Sequence, residues 1–297
     1  MIHKLLVPTS NSLARKSMAS DPCFPVELER EIFETAALLH PVTIPSLLRV
    51  ARRVLVWIEP LFYRVINTDS QAIYSAVKQA MRTKEADFFR QSVRHICLGA
   101  RENDFEALLR LCLDLVSFAY ISPQGCPELL EMLKDARGIQ RWSGSLEDLF
   151  GDPSAIDLGL PIFRTVTHLD VFDDVNANTI LSAQLCASLI ALPALTHLCL
   201  NRSVTVEILR RLLQECAHLQ VLVAMWSGRI QAMGMVATHR RAGIVDVRYV
   251  VAVCDNYWAD WDVGARGGTD FWAASDVFVA RKRRGEIEES CHLLEKW

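Results

Sequence analysis

A six-residue pattern, apolar-x-x-apolar-x-(apolar or small), recurs through the middle of the chain. It stands at Val93–Leu98, Leu115–Tyr120, Val166–Val171, Leu195–Leu200 and Leu219–Ala224, and less well at Ile139–Gly144 and Val247–Ala252. Successive copies start 22, 24, 27, 29, 24 and 28 residues apart. Each copy reads as a short strand. Between copies the apolar residues fall at helical spacing, as in Phe105, Leu108, Leu109 and Cys112, or Ile208, Leu209, Leu212, Leu213 and Cys216. Strand then helix at such intervals is the signature of stacked repeats. The predicted fold class is α/β, with an irregular solenoid over residues 93–256. The competing architecture is a closed β/α barrel, but eight units of that kind need about 250 residues, well beyond the patterned stretch.

The third position of each copy holds His95, Ser117, Arg141, His168, His197, Val221 and Tyr249. In stacked strands these residues share one face, because side chains alternate with a period of two. The pattern therefore predicts a concave surface on which His95, Arg141, His168, His197 and Tyr249 would touch a substrate. Three histidines there would make such a surface sensitive to mild acid.

Upstream, residues 21–67 carry three short amphipathic elements. Pro25 suits a first helical position, Glu27 and Glu29 complement the helix dipole, and Leu28, Ile32, Phe33 and Ala36 follow at helical spacing. His40-Pro41 and Ile44-Pro45 interrupt the chain. Leu47, Leu48 and Val50 then alternate with Arg49, Arg52 and Arg53, and Trp57, Ile58, Leu61 and Phe62 form a third apolar element. Elements this short cannot bury every apolar face among themselves. Residues 68–92 read as a linking helix.

The ordered set Phe24-Pro25-Val26-Glu27-Leu28, Ile32-Phe33, Leu47-Leu48-Arg49-Val50-Ala51-Arg52-Arg53 and Trp57 resembles the F-box. The ending Trp57-Ile58-Glu59-Pro60-Leu61-Phe62-Tyr63-Arg64-Val65-Ile66 looks especially like the F-box-like proteins abundant in mushroom-forming fungi. The stretch Leu195–Asn201 is similar to the divergent leucine-rich repeats that often follow F-boxes. The resemblance implies an F-box-like three-helix module followed by a leucine-rich-repeat-like α/β solenoid. It implies a substrate-recruiting subunit of an SCF-type cullin–RING ubiquitin ligase, with no catalytic residue of its own. A Skp-type adaptor would be held by Phe24, Pro25, Leu28, Ile32, Leu47, Leu48 and Val50. The chain departs from the family in having Phe24 for the usual Leu, a longer loop at His40–Pro45, and Val54-Leu55-Val56 between the arginine pair and Trp57.

The C-terminal residues 257–297 change character. Tyr257, Trp258, Trp261, Phe271 and Trp272 crowd a glycine-bearing stretch, and a helix is predicted from Phe271. An aromatic-rich cap over the last repeat is the expected role. Arg281-Lys282-Arg283-Arg284 reads as a solvated helix end, neutralised by Glu286, Glu288 and Glu289.

Composition narrows the remaining classes. Apolar residues make up 51% of the 297, which excludes global disorder. A net charge of −3 gives no push toward nucleic acid or an anionic membrane, and no apolar stretch approaches a membrane span. Residues 1–20 read as a disordered tail. Nine scattered cysteines without a C-x-x-C pair read as reduced thiols, so an intracellular compartment, cytoplasmic or nuclear, is expected. No G-x-S-x-G, Walker or H-E-x-x-H motif is present. No cofactor or metal is expected. Two alternatives remain open: a binding scaffold that no longer contacts the adaptor, and a hydrolase-like enzyme using Asp170, His168 or the Asp255–Asp262 carboxylates in one pocket.

Overall fold

The computed structural model describes residues 24–99, 105–121, 125–136, 138–176, 179–201 and 204–295. The tail expected at 1–20 lies outside them. Nine strands form one parallel sheet whose spatial order is the chain order. They are β1 (Val65–Asn67), β2 (His95–Gly99), β3 (Ser117–Ile121), β4 (Arg141–Gly144), β5 (His168–Val171), β6 (His197–Leu200), β7 (Val221–Trp226), β8 (Tyr249–Val253) and β9 (Leu293–Leu294). The end strands β1 and β9 each pair with one neighbour, so the sheet is open and not a closed barrel.

The crossovers carry α4 (Gln71–Thr83), α5 (Ala86–Ser92), α6 (Glu106–Leu111), α7 (Glu128–Leu133), α8 (Leu146–Phe150), α9 (Thr179–Ile190), α10 (Val206–Glu215) and α11 (Arg229–Arg241). The segment read as one linking helix is two, α4 and α5, broken where Lys84 and Glu85 are extended. One register row, Ile96, Phe118, Trp142, Leu169, Leu198, Leu222 and Tyr249, runs across seven strands. All seven are essentially buried and join the helix-side core with residues such as Leu109, Leu149, Leu189 and Leu212. No single strand–helix unit buries both its faces, so the units are stable only as a stack.

Two segments depart from expectation. Val65 and Ile66, read as the end of the helical module, instead start the sheet by pairing with β2. The C-terminal segment does not only cap the last unit. It adds β9 to the sheet edge, but α12 (Tyr257–Ala265) and α13 (Phe271–Arg283) lie across the face opposite the crossover helices. There Trp261 and Ala265 pack on Val65, Cys97 and Ala119. Phe271, Trp272, Phe278 and Val279 pack on Cys199, Val221, Val223, Val250 and Ala252. The sheet is thus sandwiched, which explains why β7 and β8 are apolar on both faces. Asp270 caps α13 by accepting from Ala273 N at 2.8 Å, and Gly264 lets α12 pass beside it: a Cβ there would lie 2.1 Å from Asp270 Oδ2.

The N-terminal module holds α1 (Val26–Leu39), a 3-10 turn (Pro41–Thr43), α2 (Ile44–Leu47) and α3 (Arg52–Phe62). It has its own small core of Ala37, Ile44, Val54 and Ile58, separate from that of the sheet. The cysteines among the described residues are all free, and Cys97, Cys112, Cys186, Cys199, Cys216 and Cys254 are buried.

Candidate functional site

Two surfaces were legible as binding faces, and the structure treats them differently. On the N-terminal module, helical spacing places Phe33 and Ala37 inward while Phe24, Leu28 and Ile32 point out. Phe24 is 54% exposed, Leu28 48%, Ile32 52% and Val50 57%. Pro25 is exposed beside them. Leu47 and Leu48 are only partly available, because both pack against the module's own core. Arg53 clasps Glu29 through two hydrogen bonds of 2.8 and 2.7 Å, which ties α3 to α1. Sequence reading missed further exposed apolar residues on the module, Leu38, Leu39 and Val42. Leu39 follows Leu28 and Ile32 at helical spacing, so the stripe extended further than the motif showed.

The second surface is the row of third positions. His95, Ser117, Arg141, His168, His197 and Val221 are in register across six strands. Tyr249 is not among them. It pairs with Leu222, one position out of phase, and is fully buried on the helix side. A one-residue slip in a strand moves every side chain to the other face. The row is also not an open surface. His95 is 9% exposed and His197 6%, beneath the C-terminal helices, while Arg141 and His168 keep an exposed edge.

Within the row the local chemistry repeats. Thr167 Oγ1 donates to Gln140 O at 3.1 Å and lies 2.9 Å from His168 Nδ1. Thr196 Oγ1 donates to Thr167 O at 3.1 Å and lies 2.8 Å from His197 Nδ1. The two imidazoles stack with centroids 4.0 Å apart, and Trp272 meets both edge-on. Asp276 Oδ1 sits 2.9 Å from His197 Nε2, and Arg141 bonds Asp270 at 3.1 Å. Burial, followed by the neighbouring His197 and Arg141, pushes His168 down to about 3. Burial and the surrounding arginines push His95 down to about 4. Both are therefore neutral well below pH 7, so these two positions do not answer to mild acid.

The groups weighed for enzyme chemistry do not converge. Asp170 is fully buried, with the Asn201 amide, the Tyr257 hydroxyl and the Cys199 thiol beside it, and burial raises it to about 7. Asp262 is held by Arg266 at 2.7 Å, and Asp260 accepts from Phe271 N at 3.0 Å at the start of α13. Asp255 and Asp260 line an open groove of about 550 Å3 with Asn256, Thr269 and Glu295. A neighbouring groove of about 430 Å3 is lined by Asp174, Asn201, Trp226, Ser227 and Tyr257. Neither groove is lined by Asp170 or His168. Among the described residues no three His, Cys, Asp or Glu side chains could hold a metal ion, and no helix is long and apolar enough to cross a membrane.

Lys282 departs from the solvated helix end expected of it. Read as part of a solvated basic run, it is 2% exposed, whereas Arg281 and Arg284 are exposed and pair with Glu286. The signal was present in helical spacing, which sets Lys282 on the face of Phe271, Ser275 and Phe278.

A search against protein-family models found no family that matches the chain, and a search against curated proteins found no match either.

Proposed function

We propose that the chain is an F-box-like recruiting subunit of a cullin–RING ubiquitin ligase. The α1–α3 module would dock a Skp-type adaptor, and the leucine-rich-repeat-like stack of strand–helix units would carry the target protein. One observation carries this reading. A small module with its own core leaves Phe24, Leu28, Ile32 and Val50 half-exposed in positions where the F-box resemblance expects adaptor anchors. Helix-borne apolar side chains of this kind suit a groove on a partner. The ubiquitin chemistry would reside in other subunits. Because the C-terminal helices cover much of the inner face, the part of the predicted target row left at the surface is Arg141 and His168.

A second reading, a scaffold that has lost the adaptor, draws support from Leu47 and Leu48, which are engaged in the module's own core. A pull-down of the full chain with a Skp-type adaptor separates the two. Capture that is lost in Leu28→Asp and Ile32→Asp, with an unchanged melting temperature, supports the recruiter. No capture by the folded wild-type chain supports the scaffold.

A further inference from the structure

The C-terminal helices are anchored at their far end by a buried cluster of basic groups. Lys282, near the end of α13, donates from Nζ to the Tyr249 carbonyl at 2.8 Å. The same ammonium lies 3.2 Å from His292 Nδ1 and 5.1 Å from the centre of the Phe278 ring. His292, next to β9, is fully buried, with Nε2 3.1 Å from Ile244 O. With Nε2–H given to that carbonyl, Nδ1 of the neutral ring accepts from the ammonium. On the other side of Tyr249, His239 of α11 bonds the Tyr249 hydroxyl at 2.7 Å and Val204 O at 3.1 Å.

No carboxylate among the described residues forms an ion pair with Lys282. Asp246, half-buried, is occupied by Arg248 at 2.8 Å, and it acts on the ammonium only at longer range, as do Glu289 and Cys291. A buried charge held by a carbonyl and a ring nitrogen is poorly compensated. His292 Nδ1 also lies 3.3 Å from the Tyr249 carbonyl that Lys282 already occupies. Protonation would turn Nδ1 from the ammonium's acceptor into a competing donor to that carbonyl and set a second positive charge 3.2 Å from the first.

We propose that Lys282 and His292 form a proton-sensitive latch that holds residues 257–295 across the inner face of the sheet, and that charging His292 beside the ammonium releases them. The direction follows from the surroundings. Burial, then the neighbouring Lys282, lowers the proton affinity of His292, while burial lowers Lys282 to about 8. The open state therefore binds the extra protons, and acid favours opening. At the other end of α13, the His168–His197 stack, Arg141 and Asp276 also face the helix, and burial there pushes His168 down to about 3. Opening would bare Val221, Val223 and Val250 together with the histidine row, an apolar surface with a basic edge.

Hydrogen exchange of the full chain tests this, expressed as protection factors corrected for the intrinsic pH dependence. Between pH 7.5 and 5, protection of α13 and β9 should fall at least about tenfold more than that of β2–β5. In His292→Gln the excess should shrink to below about twofold, and in Lys282→Met, where burial of His292 remains, it should shrink in part. A fall shared equally by the whole sheet, no fall, or the same excess in both variants would overturn the latch. If Lys282→Met does not fold, His292→Gln decides alone.

Discussion

The N-terminal module and the inner face of the sheet both carry apolar side chains in regular rows, yet one row is open and the other closed. On and just before α1 the outward stripe of Phe24, Leu28, Ile32 and Leu39 stays about half exposed or more among the described residues. On β6–β8 the inner row of Cys199, Val221, Val223 and Val250 meets Phe271, Trp272, Phe278 and Val279. An apolar row is thus open to a partner only where no described segment covers it. The difference is the ground for proposing recognition at the module, while the sheet's inner side serves cohesion.

The largest expected effect comes from opening the closed side. Trp272→Ala removes the ring that spans the His168–His197 stack and packs on Phe271. It should cost about 3–5 kcal/mol, measured by urea unfolding of the full chain. A cost below about 1 kcal/mol would mean that the inner face does not depend on α13.

A charge on the open side should do the reverse. Leu28→Asp is expected to abolish adaptor capture while changing stability by less than about 0.5 kcal/mol, as for a surface position. Loss of folding in that variant would show that the stripe is core and not surface.

Asp170→Asn probes the polar centre between the two apolar clusters. The folded carboxyl, raised to about 7, binds protons that the unfolded chain has already lost. Its contribution is therefore fully present at low pH and declines as pH rises from about 4 to 7. The amide should stabilise the chain by about 1–3 kcal/mol at pH 8 and by little at pH 4, seen as a gap between the two melting curves that grows with pH. Smallest of all, Arg53→Ala removes an exposed clasp between α1 and α3, and its melting temperature should be nearly that of wild type.

Much of this was legible because strands repeat in the sequence. The row from His95 to Val221 lies in register as its spacing implied. Tyr249 failed for a physical reason. Val247, Tyr249, Val250, Val251 and Ala252 are apolar in both phases, so alternation could not say which way the strand faced. The same two-sided hydrophobicity was the available sign that a second layer covers the sheet. The strand β1 was hidden because Val65 and Ile66 also completed the F-box-like ending. Lys282 was hidden by its arginine neighbours. On the module, spacing set Leu28, Ile32, Phe33 and Ala36 on one apolar face, and only the F-box resemblance turned Leu28 and Ile32 toward a partner; neither showed that Phe33, Leu47 and Leu48 pack against the module's core.

The most direct test of the open-versus-closed account is a hydrogen-exchange footprint of the full chain with and without a Skp-type adaptor at neutral pH. Added protection confined to α1 and the turn around Leu47–Val50, with β5–β8 unchanged, is the predicted result. Protection that appears on the sheet or the C-terminal helices, with α1 unaffected, would contradict it.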